Sequence, residues 1–316
     1  MDSRKTDPTT RPTAVMARLA RPRADRTTKI ALVADTHVSE SNRSYFEAAI
    51  EDINARNVDV VVHAGDLSFD GAPAEFDLFD ELIGSLDPPW IAVPGNHDVP
   101  KESDDHPALP FRTFEDRYAN DEGYPFVERI GELDLIAANS AGTDDVGTET
   151  SDGAIDDDQL EALDSMLSEA TTPIVVVHHN LPAMMDQYVR AREAVYPEYD
   201  GGPPVFRSPG PFVDLLQTHA VPLVLTGHMH YPSVADQGGV REVTAPSLIR
   251  FLQGYVLVEI GPEGTTARLV VVADHDELLH GCRDRRRMSK LSEVLTDMTT
   301  ANLALFPLVD ESNCNE

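Results

Sequence analysis

The chain has 316 residues, enough for one large domain, and 41% of them are hydrophobic. It carries 25 basic and 55 acidic residues, a net charge of −30, and only two cysteines, Cys282 and Cys314. The apolar runs are too short for a membrane-spanning helix or a secretory signal, and two cysteines exclude a disulfide framework and a cysteine-based zinc site. These features predict a cytoplasmic protein that binds no membrane and holds any metal through His, Asp, Asn or Glu.

The acidic charge is unevenly distributed along the chain. Residues 1–29 contain eight Lys or Arg and three Asp, which leaves a charge of −35 on residues 30–316. Such a charge repels itself unless salt screens it, so it favours a halophilic cytoplasm over an ordinary acidic protein. It also repels nucleic-acid backbones, which disfavours a protein that binds long nucleic acid. The sequence gives no indication of the oligomeric state.

The first half of the chain predicts alternating strands and helices. Residues 1–28 are rich in Arg, Pro and Thr and predict a flexible basic leader. After the leader, the order strand, helix, strand, helix, strand is expected over residues 29–35, 42–56, 58–66, 73–86 and 90–98. This alternation predicts an α/β sheet with helices packed on its faces.

The second half predicts more strands and a helical end. After a hairpin around Gly131, helices and strands are expected in turn over 156–170, 173–179, 211–220 and 221–230. Three later strands are expected in a second sheet: 241–245, 254–260 and 266–272. A single basic, then amphipathic helix is expected over 281–302. We therefore divide the chain into the leader, one domain over 29–275 and a C-terminal helical extension over 276–316.

Candidate metal ligands gather where the predicted strands end. Five short segments carry them: ADTH (34–37), HAGD (63–66), PGNHD (94–98), VHHN (177–180) and GHMH (227–230). Ligand sites of open α/β sheets lie at the carboxyl ends of strands. Residues i and i+2 of an extended segment share a face, which pairs Asp35 with His37 and His228 with His230. Imidazole and carboxylate ligands suit zinc, iron and manganese, and a site with this many ligands can hold two ions.

Glycine precedes several of these candidate ligands. A residue without a side chain is expected where the backbone must approach a crowded site closely, and three positions fit this expectation: Gly65, Gly95 and Gly227.

The ordered series D-x-H, G-D, G-N-H-D, H-H and G-H-x-H resembles the calcineurin-like metallophosphoesterase superfamily over about residues 29–260. Its spacing is most similar to the class III cyclic-nucleotide phosphodiesterase and glycerophosphodiesterase branch. The resemblance implies a four-layer α/β/β/α fold of two mixed sheets flanked by helices. It also implies two divalent ions (Mn, Fe or Zn) and attack of a metal-bound hydroxide on a small-molecule phosphodiester.

The same resemblance implies roles for individual residues. The first metal would be held by three residues and bridged to the second by a fourth: Asp35, His37, His230 and, as the bridge, Asp66. The second metal would be completed by Asn96, His228 and His178, with His178 favoured over the adjacent His179. His97 would stabilise the transition state and protonate the leaving oxygen, oriented by Asp98.

Three segments leave alternatives open. The branch usually has H-H-P where this chain has His178-His179-Asn180-Leu181-Pro182, so local substrate contacts are expected to differ. Residues 183–210 are expected to form either a surface excursion or a lid that presents an arginine to a phosphate, from Arg190, Arg192 or Arg207. The arginine-rich stretch 283–287 is expected to be a solvated helix face, with binding of an anion or another subunit as the alternative.

Other functions of the same fold are also open. A phosphomonoesterase needs the same metal centre, because the centre binds phosphorus and the loops select the rest of the substrate. An Mre11-like nuclease is disfavoured by the charge of −35. A calcineurin-type protein phosphatase is disfavoured because its G-D-x-V-D-R-G and G-N-H-E motifs differ from residues 65–71 and 95–98. A non-catalytic scaffold is disfavoured because this chain retains every expected ligand.

Overall fold

The computed structural model describes residues 11–101, 108–142, 152–202 and 205–312. The strands in chain order are β1 (Thr13–Leu19), β2 (Thr28–Val33), β3 (Val60–His63), β4 (Trp90–Ala92), β5 (Phe126–Ile130), β6 (Leu133–Ala137), β7 (Pro173–Val176), β8 (Leu223–Thr226), β9 (Ser233–Gln237), β10 (Val240–Thr244), β11 (Gly254–Gly261), β12 (Gly264–Val271) and β13 (Val309–Asp310). The helices are α1 (Arg43–Arg56), α2 (Pro73–Ile83), α3 (Phe111–Tyr118), α4 (Asp157–Glu169), α5 (Pro182–Val195), α6 (Gly210–Thr218), α7 (His275–Met288) and α8 (Lys290–Leu305).

The strands form two mixed sheets. The first has the order β13-β1-β12-β11-β2-β3-β4, in which β2, β3 and β4 are parallel. The second has the order β5-β6-β7-β8-β10-β9, in which β6, β7, β8 and β10 are parallel. Each sheet therefore carries a set of parallel strands whose carboxyl ends can share one edge.

Helices cover the outer face of each sheet. Along β2, Ile30 and Leu32 pack between the two sheets, whereas Ala31 and Val33 pack towards α1 and α2. Successive residues of a strand point to opposite faces, so a continuous apolar run is what a strand buried on both sides requires. On the far side, α4 and α6 pack on the outer face of the second sheet. The four-layer α/β/β/α prediction is confirmed.

The prediction of a flexible leader is wrong for residues 13–19. This segment forms β1, which pairs antiparallel with β12 and parallel with β13. Met16 and Ala17 are both fully buried because the register shifts between Val15 and Ala17, so the two neighbours face inward together. Residues 1–10 lie outside the described residues. Because β1 and β13 belong to the first sheet, the boundaries at residues 28 and 276 do not separate independent units.

The assignment of three late strands to one second sheet is wrong in part. Only β10 lies in the second sheet, whereas β11 and β12 join the first sheet, where β11 pairs antiparallel with β2. A β-strand pattern predicts burial on its faces but not which strand lies beside it. Local sequence therefore could not indicate this pairing.

Two helical predictions also need correction. The stretch 183–210 is not a loop throughout, because α5 occupies its first half. The single helix expected over 281–302 is two helices, α7 and α8, which meet at Ser289. Ser289 ends α7 in extended backbone, and its hydroxyl accepts a hydrogen bond from the amide of Ser292 as the N-cap of α8. No helix among the described residues is both long and apolar enough to cross a membrane.

A buried carboxylate ties together three strands of the second sheet near their carboxyl ends. Oε1 of Glu242 accepts hydrogen bonds from Nδ2 of Asn180 and Oγ1 of Thr226, both at 2.8 Å, and Oε2 accepts from the amide of Leu181 at 3.2 Å. Burial raises the pKa of Glu242 to about 7, although these donors oppose the shift. The network fixes the chain immediately after His178 and His179.

We expect Met16→Ala to lower the free energy of unfolding by about 2–5 kcal/mol, because it removes a fully buried side chain from β1. Thr13→Ala, at an exposed position of the same strand, should change it by less than about 0.5 kcal/mol. Urea unfolding followed by circular dichroism measures both. Equal, negligible effects would show that β1 does not pack in solution.

We expect Glu242→Gln to remove part of the pH dependence of stability. The raised pKa means that the native state holds the proton more tightly than the unfolded chain, so this stabilisation is present below about pH 4.5 and is lost as pH rises through about 7. Between pH 5 and pH 8 the wild type should therefore lose up to about 3 kcal/mol more than the variant. Urea unfolding in EDTA at both pH values tests this, with the exposed Glu128→Gln as control. Parallel pH profiles for wild type and Glu242→Gln would contradict it.

Candidate metal centre

The five predicted segments meet where the parallel strands of both sheets end. Five of the predicted ligands have backbone in the left-handed region, with φ values between 36° and 71°: Asp35, His37, Asp66, His228 and His230. Such a conformation costs of order 1–3 kcal/mol at a residue with a side chain. Its concentration at these ligands fits a site whose geometry is maintained by the packed sheets beneath it.

One group of ligand atoms lies above the first sheet. Nε2 of His37 lies 3.2 Å from Nε2 of His230, which in turn lies 3.2 Å from Oδ1 of Asp35. Nδ1 of His37 donates to the carbonyl of Ser68 at 3.0 Å, so its Nε2 carries the lone pair. Ligand atoms of Asp35, His37, Asp66 and His230 all lie within 4.8 Å of one another.

A second group lies towards the second sheet. Oδ1 of Asn96 is 3.0 Å from Nδ1 of His228 and 3.2 Å from Nε2 of His178. Nδ1 of His178 donates to the carbonyl of Ala64 at 2.7 Å, so its Nε2 is the ring atom that faces the site. Backbone carbonyls that fix the tautomer of an imidazole in this way are typical partners of metal-binding histidines.

Asp66 joins the two groups. Its Oδ2 lies 3.6 Å from Nε2 of His37 and 3.4 Å from Nε2 of His178, while its Oδ1 accepts the amide of His97 at 2.9 Å. A Cβ at Gly95 would lie 2.1 Å from Oδ1 of Asp66, so only glycine allows this approach. The predicted reason for Gly95 is therefore confirmed.

Electrostatics keep most of these imidazoles neutral. Burial lowers the pKa of His37 to about 3 and lowers those of His228 and His230 well below the usual range. Burial alone would raise the pKa of Asp66, but the nearby His178 outweighs it and the net shift is downward.

The pKa values of two groups shift the other way. Despite burial, Asp66 raises the pKa of His178 to about 9, and burial raises the pKa of Asp35 to about 7, so a bound cation would have to displace a proton from each. Neutral imidazole and ionised carboxylate are the forms that bind metal. Ligand atoms only 3.0–3.2 Å apart, such as Nε2 of His37 and of His230, leave room for a shared cation, so the donor set fits two divalent ions.

His97 and Asp98 form hydrogen bonds with different parts of the chain. Nδ1 of His97 donates to the carbonyl of Phe69, and its half-buried ring lies edge-on to His37 with centroids 4.6 Å apart. The carboxylate of Asp98 instead accepts the amides of Leu67, Ser68 and Gly95 at 2.9–3.1 Å. Asp98 therefore holds the two loops that present Asp66 and Asn96. The orientation of His97 by Asp98 stays a prediction, and it would act through these loops.

The adjacent histidines 178 and 179 point to different neighbours. Nε2 of His178 faces Asn96 and Asp66, as described above, whereas Nδ1 of His179 lies 2.8 Å from Oγ of Ser140. Both have a ligand atom within 4.8 Å of one on His228. His179 alone packs against residue 153, where a Cβ on the glycine would lie 2.3 Å from its ring.

A pocket of about 320 Å³ opens onto the metal centre, and part of its wall was missed by sequence reasoning. Beside the predicted His37, Asp66, Asn96, His97, His228 and His230, its lining includes Phe69, Arg250 and residues of α7 and α8. The arginines proposed for a lid do not line it: Arg192 bonds the carbonyl of Tyr199, and Arg207 pairs with Asp152. Arg285 in the arginine-rich stretch is buried rather than solvated. The sequence signal for this wall was Phe69, an aromatic residue three positions after Asp66, and the structure shows it exposed beside the site.

Similar proteins carry names consistent with this geometry. The chain is 27% identical over 239 residues to a probable cyclic nucleotide phosphodiesterase of Synechococcus sp., covering 73% of this chain and 83% of that protein. It is 26% identical over 211 residues to the 3',5'-cyclic adenosine monophosphate phosphodiesterase CpdA of Escherichia coli K12, covering 64% and 66% of the two chains. A dimetal phosphatase from Danio rerio shares the fold with a TM-score of 0.59 at 12% identity, covering 78% of this chain and 97% of the other.

The sequence profile of the calcineurin-like phosphoesterase family matches residues 28–232, the part of the chain that contains every predicted ligand. The chain belongs to the calcineurin-like phosphoesterase family.

Proposed function

We propose that this protein is a di-metal phosphodiesterase that hydrolyses small-molecule phosphodiesters, such as cyclic nucleotides or glycerophosphodiesters. The observation that carries the proposal is Oδ2 of Asp66, which lies between Nε2 of His37 and Nε2 of His178 at 3.6 and 3.4 Å. One carboxylate oxygen between two nitrogen-rich groups is the arrangement that a pair of ions requires.

The residues would be divided between two ions. Asp35, His37 and His230 would hold one, and Asn96, His178 and His228 the other, with Asp66 as the shared ligand. Two such ions supply activation of water and neutralisation of charge at the phosphoryl oxygens, and manganese, iron and zinc all suit these donors.

His97 is suited to donate a proton to the leaving oxygen. Its Nδ1 is engaged by the carbonyl of Phe69, so only Nε2 can serve the substrate. The amide of His97 is bonded to Asp66, which couples the position of the imidazole to the bridging carboxylate. Asp98 acts as a positioning residue because it holds the loops around both.

Substrate class is supported by the relatives and by the pocket. Two relatives are named as cyclic-nucleotide phosphodiesterases. The pocket combines the metal centre with apolar side chains, including Phe69, Met288 and Leu291, against which an organic group can pack. A phosphomonoesterase, an Mre11-like nuclease and a scaffold remain the alternatives, and the proposed setting is a salt-rich cytoplasm.

We expect the manganese-loaded protein in molar KCl to hydrolyse bis(p-nitrophenyl) phosphate faster than p-nitrophenyl phosphate, with EDTA abolishing both. His97→Ala should lower kcat for the diester by about 10²–10³-fold, because it removes the imidazole proposed to stabilise the transition state. His219→Ala, which removes a histidine paired with Asp164 away from the site, should leave kcat unchanged. Release of p-nitrophenol measures all of these.

The other outcomes of that assay separate the alternatives. Monoester turnover without diester turnover would replace the proposal by a phosphomonoesterase. No turnover of either ester by folded protein that contains manganese would favour the scaffold.

We expect His178→Ala to bind roughly one manganese ion per chain where the wild type binds roughly two, because it removes a nitrogen that faces Asn96 and Asp66. His179→Ala should bind as many ions as the wild type, since its Nδ1 is engaged by Ser140. Metal analysis after dialysis measures the content. If His179→Ala lost an ion and His178→Ala did not, the ligand would be His179 instead of His178.

A further inference from the structure

Arg285 is a buried cation in the wall of the metal pocket. It lies on α7 and is only 3% exposed. Its Nη1 donates to the carbonyl of Phe251 at 2.6 Å, but its Nη2 is buried without a hydrogen-bond partner. A buried charge that lacks a partner is costly, so a group that binds there would be strongly favoured.

Arg250 lines the same pocket from the loop between β10 and β11. It is half-buried, and within the described parts of the chain its guanidinium makes no hydrogen bond or ion pair. Burial lowers the pKa of Arg250, and burial together with the charge of Arg250 lowers that of Arg285 to about 10. Two desolvated cations therefore lie close together.

Their lack of acidic partners is not a general property of this chain. The chain has 55 acidic residues and 25 basic ones, and neighbouring arginines of α7 form ion pairs with carboxylates. Arg283 pairs with Asp284, and Arg286 pairs with Asp297. Among the described residues neither of the two pocket arginines forms an ion pair, although carboxylates lie nearby, so both guanidinium groups can bind an anionic ligand.

Charge balance indicates what the ligand carries. Two divalent ions, the carboxylates of Asp35 and Asp66, a phosphodiester monoanion and an attacking hydroxide together have no net charge. The guanidinium groups of Arg250 and Arg285 remain as two positive charges in the same pocket. The carboxylate of Asp98 offsets at most one of them, so a substrate with a single anionic group would leave positive charge uncompensated.

We propose that Arg250 and Arg285 form an anion subsite beside the metal centre, which binds a second anionic group, a phosphate or a carboxylate, carried by the phosphoester substrate. The inference rests on the proposed di-metal phosphodiesterase and narrows its substrates to phosphodiesters with a second anionic group, which a simple 3',5'-cyclic mononucleotide lacks. The arginine fork can bind either group through two parallel, charge-assisted hydrogen bonds. Arg285 would be a specificity-determining residue supplied by the C-terminal helices.

The test is calorimetric binding of three probes to the manganese-loaded protein: methylphosphonate, with one anionic group, and phosphonoacetate and methylenediphosphonate, with two. The wild type should bind the two-anion probes at least about tenfold more tightly than methylphosphonate. Arg250→Met and Arg285→Met should each weaken the two-anion probes by at least about tenfold and methylphosphonate by less than about threefold. Tighter binding of phosphonoacetate would assign a carboxylate to the subsite, and tighter binding of methylenediphosphonate a phosphate.

Arg286→Met is the matched control, because it removes a surface arginine from the next position of α7 and should leave all three affinities unchanged. Its affinities also show how much of the binding signal comes from chelation of manganese by the probes. Arg250→Met removes no hydrogen bond of the fold, so it tests the subsite even if Arg285→Met unfolds.

Equal weakening of all three probes would overturn the proposal in favour of contacts to the reacting phosphate, and no weakening would make both arginines structural. Binding is measured without turnover, so a protein that cleaves no ester still tests the subsite. A protein that cleaves diesters but binds the three probes alike contradicts the subsite alone.

Discussion

The carboxylate of Asp66 can reach both halves of the centre only because two loops from neighbouring strands come into near contact. One loop carries Asp66 itself, and the other turns at Gly95, where a methyl group would collide with Oδ1. Asp98 then joins the loops by accepting amides from both. The positions of His97 and Asn96 follow from the same turn, so a single close approach sets the predicted bridging ligand, a predicted terminal ligand and the proposed proton donor.

Each sheet presents its own set of predicted ligands. The first sheet presents Asp35, His37 and Asp66 from consecutive parallel strands, and the second presents His178 and His228 from another parallel pair. The buried Glu242 network stabilises the second set from behind, without contributing a ligand atom. Left-handed backbone at five ligands shows that local conformational preference is overruled there by packing of the sheets.

The sequence predicted the part of the site that depends on local order. Parallel strands end at one edge, so motifs at successive strand ends had to converge, and Asp35, Asp66 and His178 do. It could not predict that β1 belongs to the first sheet or that β11 lies beside β2, because strand pairing depends on distant partners. The burial of Arg285 was missed for a similar reason: a run of arginines has the pattern of a solvated face, and only the contact with the loop at Phe251 shows otherwise.

The pairing of β1 with β12 and β13 has a consequence for the order in which the molecule is completed. A ribosome that makes this chain from its amino terminus releases every predicted metal ligand before it releases β12, α7 or α8. The first sheet cannot be completed until nearly the whole chain has been made, because β1 pairs with β12 and β13. Contacts between residues so far apart in sequence slow folding. The helices α7 and α8, which line the pocket, are thus made only after every predicted ligand has left the ribosome.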